Sequence, residues 1–149
     1  MELYPSAAAL PGVAKLVMHL HQHGVPLAIA TSSSRAAVQA KRRNHEALFG
    51  RFDAIVTAED IVRGKPAPDV FLAAAQALGV PPTECCVFED ATAGVDAGLA
   101  AGCVVVAVPD RRIFTAVDEL HHAGFRNAHE LLDTMEQFAP ERWGFPPYQ

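Results

Sequence analysis

Apolar and polar positions along the chain fall into two alternating kinds of block. Val13, Leu16, Val17 and Leu20 recur at helical spacing within residues 11–23, and Gly24 follows where a left-handed residue closes a helix. Residues 26–31 (PLAIAT) form a short apolar run ending in hydroxyls, too short for a helix, and predict a buried parallel strand. Ser33 or Ser34 then caps a helix reaching about Arg43, and residues 45–49 make a further helical turn. Residues 52–57 predict a second strand and 58–65 a polar loop. Pro68 and Asp69 open a helix carrying Val70, Phe71, Ala74, Ala75 and Leu78, stopped by Gly79. Residues 85–88 read as a third strand, 92–101 as a small-residue helix ended by Gly102, and 103–108 as a fourth strand. Thr115 with Asp118, and Asn127 with Glu130, each have the spacing of a capping box opening a C-terminal helix. The tail from Pro140 is expected to pack as an extended segment, pinned to the core by Trp143 and Tyr148.

Strands separated by helical patterns imply βαβ units, right-handed crossovers and a parallel sheet. The class is α/β. In such sheets function lies beyond the carboxyl ends of the strands. Polar groups stand at three of those ends: Thr31 with Ser32, Ser33 and Ser34; Glu59 and Asp60; and Glu89 with Asp90.

Composition narrows the class further. A chain of 149 residues is one domain's worth, and 50% apolar against 19% charged residues excludes a disordered tail. A formal net charge of −5 argues against a nucleic-acid partner, which needs clustered Lys and Arg. Apolar runs such as 103–108 fall far short of the ~20 residues of a membrane span. The three cysteines, Cys85, Cys86 and Cys103, lack a Cys-x-x-Cys spacing, and adjacent Cys85 and Cys86 face opposite ways on a strand. Buried thiols in a reducing compartment are expected, and with no signal-like N-terminus the expectation is a cytoplasmic protein.

Three segments carry candidate chemistry. Thr31 and the serines lie where a strand becomes a helix, so unpaired N–H groups and the helix dipole suit an anion; the same hydroxyls equally suit a plain helix cap. Lys65 is held in Gly64-Lys65-Pro66-Ala67-Pro68-Asp69, a rigid setting for a point charge on a phosphoryl oxygen, or an ordinary surface turn. Glu89-Asp90 follows an apolar strand without a spacer; paired acids there suit Mg²⁺, or a helix cap with a solvated neighbour. Together they make a phosphoryl-transfer set without an evident nucleophile.

The ordered trio IATSSS, GKPAPDVF and CCVFEDATAGVDAGLAAG resembles motifs two, three and four of the haloacid dehalogenase superfamily of hydrolases. The resemblance implies a three-layer, Rossmann-like core with a parallel sheet. It implies that Thr31, with Ser32, binds the transferring phosphoryl group, that Lys65 bridges nucleophile and phosphate, and that Asp90, helped by Glu89, holds Mg²⁺. Residues 1–149 are then one partial core domain, with the motifs in 11–110 and C-terminal helices and a proline-rich tail in 111–149. The ending FAPERWGFPPY resembles the pseudouridine-5′-phosphatase-like branch and implies a small phosphorylated metabolite as substrate. Gly98 stands where the resemblance implies alanine, a change expected to loosen the helix slightly.

One family motif is absent: no Asp-x-Asp, the source of the nucleophile and the general acid/base, occurs in these 149 residues. The resemblance places it, with a substrate-selecting cap, upstream of Met1, and this chain alone is expected to be inactive. The motif-one strand would lie between strands 26–31 and 85–88. Its absence leaves two unpaired edges, so that those strands close up, another chain fills the gap or the fold is marginal, and a tendency to form a homo-oligomer or to aggregate is expected. The rival reading is a non-catalytic fragment that binds phosphate or Mg²⁺. A receiver domain orders its acids, hydroxyl and lysine differently. His19 and His23, at i and i+4, could hold a transition metal but read better as a solvated helix face; His121, His122 and His129 read as surface residues near helix ends.

Overall fold

The computed structural model describes residues 11–110 and 124–149. Its elements run α1 (Val13–Gln22), β1 (Ala28–Ala30), α2 (Arg35–Asn44), α3 (Glu46–Phe49), β2 (Ala54–Val56), α4 (Asp69–Leu78), β3 (Cys86–Glu89), α5 (Thr92–Ala100), β4 (Val104–Ala107) and β5 (Glu130–Leu131), with short 3₁₀ turns between. The strand registers are all parallel: β1 lies on β2, and β4 lies between β3 and β5. The regular strands are shorter than the apolar runs that predict them. Pairing nevertheless continues past their ends, with Thr31 N–H donating to the Val56 carbonyl at 3.0 Å and Asp53 N–H to Leu27 at 2.7 Å.

Side chains alternate across the strands and build two cores, one on each sheet face. Ala30, Val87 and Val105 pack with Val70, Phe71 and Ala74 of α4 and with Val95 and Ala97 of α5. Ile29 and Val106 pack on the other side with Val13, Leu16, Val17 and Leu20 of α1, Phe49, Met135 and Phe138. Helices therefore cover both faces of a parallel β layer, the three-layer α/β architecture that the resemblance implies.

Two glycines shape this packing. Gly12 has φ +86°, and a Cβ there would stand 2.5 Å from the Glu136 backbone nitrogen, so α1 starts against the 3₁₀ turn Met135–Gln137. A Cβ on Gly98 would lie 2.7 Å from Val105 Cγ2 and 3.4 Å from Val87 Cγ1. Beyond any loosening of the helix, the missing methyl lets α5 lie directly on β3 and β4. Gly98→Ala gains about 1 kcal/mol of helix propensity but overpacks fully buried Val105 at a cost of about 1–3 kcal/mol. A net loss of about 1 kcal/mol is expected in a urea titration.

The C-terminal region departs from the sequence expectation. Thr115, Asp118, His121 and His122 lie outside the described residues. Asn127 and Glu130 do not open a helix: a 3₁₀ turn (Phe125–Asn127) leads into β5, which adds to β4 through Val106↔Glu130 and Ala107↔Leu131. Glu130 is buried, with Arg142 Nη1 donating to it at 2.5 Å and Trp143 Nε1 at 3.1 Å. The side chain that mimics a cap is anchored by residues twelve and thirteen positions further on. The tail is not wholly extended, since Pro140–Trp143 forms a 3₁₀ turn. His129 is exposed and precedes β5, with its Nδ1 accepting the Val105 N–H at 2.9 Å.

His19 is buried rather than solvated, because the tail covers it: Nε2 donates to the Pro146 carbonyl at 2.7 Å and the ring packs 4.7 Å from Tyr148. His23 Nδ1 donates back to the His19 carbonyl at 2.8 Å.

The sheet is divided. Among the described residues β1 pairs with β2 alone and β3 with β4 alone, and no ladder joins β1 to β3. An apolar cavity of about 160 Å³ marks the seam, lined by both inner edges and by α1 and α4.

Candidate active site

Thr31 follows β1 directly and is 2% exposed. Its Oγ1 accepts the Ser33 N–H at 3.0 Å, while Ser34 Oγ caps α2 by accepting the Ala37 N–H at 3.1 Å. Ser34 is therefore the cap of α2, and exposed Ser32 and buried Thr31 sit at the turn before the helix. Lys41 Nζ reaches Ser33 Oγ at 3.5 Å.

The acids beyond β2 hold the loop together. Thr57 Oγ1 donates to Glu59 at 2.9 Å and to Asp60 at 3.0 Å, the Thr57 N–H donates to Asp60, and Arg35 donates from its backbone to Glu59 and from its guanidinium to Asp60. The Thr57 hydroxyl and then the Arg35 N–H hold Glu59 below its usual range. The Thr57 backbone and hydroxyl do the same for Asp60.

Lys65 is carried between this loop and α4. Asp69 at the start of α4 accepts both the Arg63 N–H (3.2 Å) and its guanidinium (3.0 Å), closing residues 63–69 into a tight loop. The Arg63 guanidinium keeps Asp69 below the ordinary carboxylate range. From that loop Lys65 crosses to the tip of β3, where Nζ lies 2.5 Å from Glu89 Oε1 and 5.2 Å from the Phe71 ring centroid. Side-chain exposures of 11% for Lys65 and 5% for Glu89 make this a buried ion pair.

Gly94 makes room for the pair. A Cβ there would stand 1.9 Å from Glu89 Cδ, so the carboxylate occupies the space of the missing side chain at the electropositive start of α5. Asp90 is half-buried at the next position, and its carbonyl accepts the Asp110 N–H at 3.4 Å. Asp110, beyond β4, is thus a further acid at the strand tips. Sequence reasoning passed over it, although its place after a predicted strand was the available signal.

The structure thus brings Lys65 to Glu89 and sets Asp90 beside them, with Thr31 and Ser32 at the carboxyl end of β1. The donor set suits a hard cation: Mg²⁺ commonly takes one or two carboxylates and completes its shell with phosphate and water. Glu89 carries the Lys65 ammonium. Among the described residues no group of three or more His, Cys, Asp or Glu converges as a metal cage.

The thiols lie away from these tips. Cys85 and Cys86 face opposite cores, as strand alternation requires. Burial, with the Glu130 carboxylate adding to it, pushes the Cys86 thiol up to about 12. Burial, with Cys85 adding, pushes Cys103 up to about 11. An unfolded thiol titrates near 8.5. Between that pH and the folded values the unfolded chain releases protons that the folded chain keeps, so stability falls as pH rises. Urea titrations at pH 8, 9 and 10 should show stability falling as pH rises, with a slope that steepens toward about 1.4 kcal/mol per pH unit for Cys86 and for Cys103 above pH 9, and a smaller slope in Cys86→Ala.

Comparison with known proteins agrees with this geometry. The family model for haloacid dehalogenase-like hydrolases matches residues 2–102. The chain is 40% identical over 151 residues to a probable pseudouridine-5′-phosphatase of Drosophila melanogaster, covering 98% of this chain and 62% of that protein. It is 39% identical over 155 residues to a bifunctional riboflavin kinase/FMN phosphatase of Arabidopsis thaliana, covering 99% of this chain and 39% of that protein. Among solved structures, CbbY from Rhodobacter sphaeroides in complex with phosphate superposes with a TM-score of 0.75 at 30% identity, over 86% of this chain and 55% of that one. The chain therefore spans between about two fifths and three fifths of the length of these relatives. With three spaced motifs, a shared parallel architecture and these matches, the chain belongs to the haloacid dehalogenase-like hydrolases.

Proposed function

We propose that this chain supplies the phosphate- and metal-binding part of a Mg²⁺-dependent phosphatase acting on a small phosphorylated metabolite. The observation that carries this reading is the Lys65–Glu89 contact, which draws a motif lysine to the acidic tip of β3 from 24 residues away. Thr31 and Ser32 donate hydrogen bonds to the phosphoryl oxygens, Lys65 neutralises them, Glu89 aims Lys65, and Asp90 with Glu89 is the Mg²⁺ acid. When bound, the metal would offset the phosphate charge. The relatives include a probable pseudouridine-5′-phosphatase, (DL)-glycerol-3-phosphatases and a hexitol phosphatase, which supports a small phosphorylated metabolite as the substrate class. Three thiols without a disulfide suit the cytoplasm.

Hydrolysis by this route needs a carboxylate nucleophile, and no Asp-x-Asp occurs in the sequence. The test is p-nitrophenyl phosphate turnover with Mg²⁺, comparing this chain with a version extended by an Asp-x-Asp strand. Asp90→Asn and Lys65→Ala forms of the extended protein serve as controls, each checked for folding by circular dichroism. Turnover confined to the extended form and lost in both controls is expected. Turnover by the 149-residue chain itself would overturn the assignment of its roles. The divided sheet favours a second reading, a non-catalytic module that binds phosphate or Mg²⁺ and self-associates through its strand edges. Under that reading the extended form also stays inactive and the chain sediments as an oligomer.

A further inference from the structure

At their amino ends, away from the acidic tips, β3 and β4 bring two thiols together. The strands run parallel, with Cys86 opposite Val104 and Val87 opposite Val105. One residue back along each strand, this register sets Cys85 beside Cys103. The Val104 N–H donates to the Cys85 carbonyl at 3.0 Å and fastens the strands at that point. Cys85 and Cys103 both face the core that holds Val87 and Val105, whereas Cys86 faces the other core. Neighbouring strands lie about 4.8 Å apart, inside the range of roughly 4.4–6.8 Å between the Cα atoms of a disulfide. The two thiols also sense each other, since Cys85 adds to the burial that pushes the Cys103 thiol up. Cys103 is 4% exposed, but Cys85 is half-buried beside exposed Glu84, and its Sγ makes only a weak hydrogen bond to the Pro81 carbonyl at 3.4 Å.

We propose that Cys85 and Cys103 are a modification site, a thiol pair that a hydroperoxide converts into a cross-strand disulfide. The Cys85 sulfur attacks a peroxide oxygen, the O–O bond breaks, and Cys85 becomes a sulfenic acid while water or an alcohol leaves. The Cys103 sulfur then attacks the Cys85 sulfur: the S–S bond forms, the S–O bond breaks, and the hydroxyl departs with the Cys103 proton as water. Two thiols thereby lose two electrons and one peroxide is reduced. Cys85 reacts first because it is the more exposed of the two, and Cys103 resolves it. Cys86 cannot take the place of Cys103, because successive side chains on a strand point to opposite faces. Burial, with the Glu84 carboxylate adding to it, holds Cys85 above the ordinary thiol range, so thiolate is scarce and the reaction is slow. The bridge closes residues 85–103 into a loop around α5 and so constrains the unfolded chain. The inference rests on the register of β3 and β4 and stands whether or not the phosphatase reading does.

The test treats the folded chain with hydrogen peroxide and blocks the remaining thiols with N-ethylmaleimide. Cleavage of the denatured chain after glutamates then places Cys85 and Cys86 on one peptide, residues 85–89, and Cys103 on another. Mass spectrometry should find the two peptides joined within one chain, with the maleimide on Cys86, and dithiothreitol should part them. Cys86→Ala should keep the link, while Cys85→Ser and Cys103→Ala each lose it, with circular dichroism showing that all three variants are folded. The bridged chain should unfold at higher urea than the reduced one. Absence of the link, a link confined to pairs of chains, or maleimide on Cys85 with Cys86 bridged would each overturn the proposal. So would a bridged chain that unfolds at lower urea, because the strands would then have to be pried apart to close it.

Discussion

Lys65→Met is expected to destabilise the fold by about 3–5 kcal/mol, far more than loss of a surface pair. Exposed ion pairs contribute about 0–1 kcal/mol, because water screens them and two long side chains must be ordered. Here Glu89 is 5% exposed and its bonded cation is Lys65, so methionine would keep the stem's packing and leave a carboxylate buried without that counter-charge. The double variant Lys65→Met, Glu89→Leu removes both charges and should recover most of the loss, to within about 1 kcal/mol. Urea titrations of the four proteins in this cycle give the coupling directly. A Lys65→Met loss below 1 kcal/mol would show that the pair is no more than a surface contact.

Gly94→Ala should be at least as damaging, against the usual direction for glycine in a helix. Propensity alone favours alanine by about 1 kcal/mol. The added methyl, however, would fall 1.9–2.4 Å from three atoms of the Glu89 carboxyl group, and α5 cannot retreat while Gly98 holds it against Val105. Glu89 must then leave its place and Lys65 with it. A loss of about 3–5 kcal/mol is expected, together with weaker binding of inorganic phosphate by calorimetry. Gly94→Ala in a Glu89→Gly background has the space and should be tolerated; if it is equally destabilising, the carboxylate is not what excludes the methyl.

The candidate chemistry was legible because it is local. Thr31 ends an apolar run, Lys65 sits between a glycine and two prolines, and Glu89-Asp90 ends another run, so each segment announces a strand tip or a rigid loop by itself. What joins them was not legible, since the Lys65–Glu89 contact depends on where α4 and β3 land. The helices α1 and α4 followed from apolar spacing and from Gly24 and Gly79, both at positive φ. The region after residue 124 did not follow, because Glu130 has the spacing of a cap while its partners, Arg142 and Trp143, are beyond any local window. His19 failed for the same reason: the helix places it, but the tail from Pro146 to Tyr148 buries it.

Trp143 is the chain's one tryptophan, and its indole both donates to buried Glu130 and stands edge-on to His129 with ring centroids 6.3 Å apart. Its ultraviolet emission is therefore a built-in optical reporter of the junction between the tail and β5, blind to the strand tips where Lys65 sits. A fluorescence-detected melt of this protein follows the undocking of its last residues, and circular dichroism is needed to know whether the rest of the fold has gone with them.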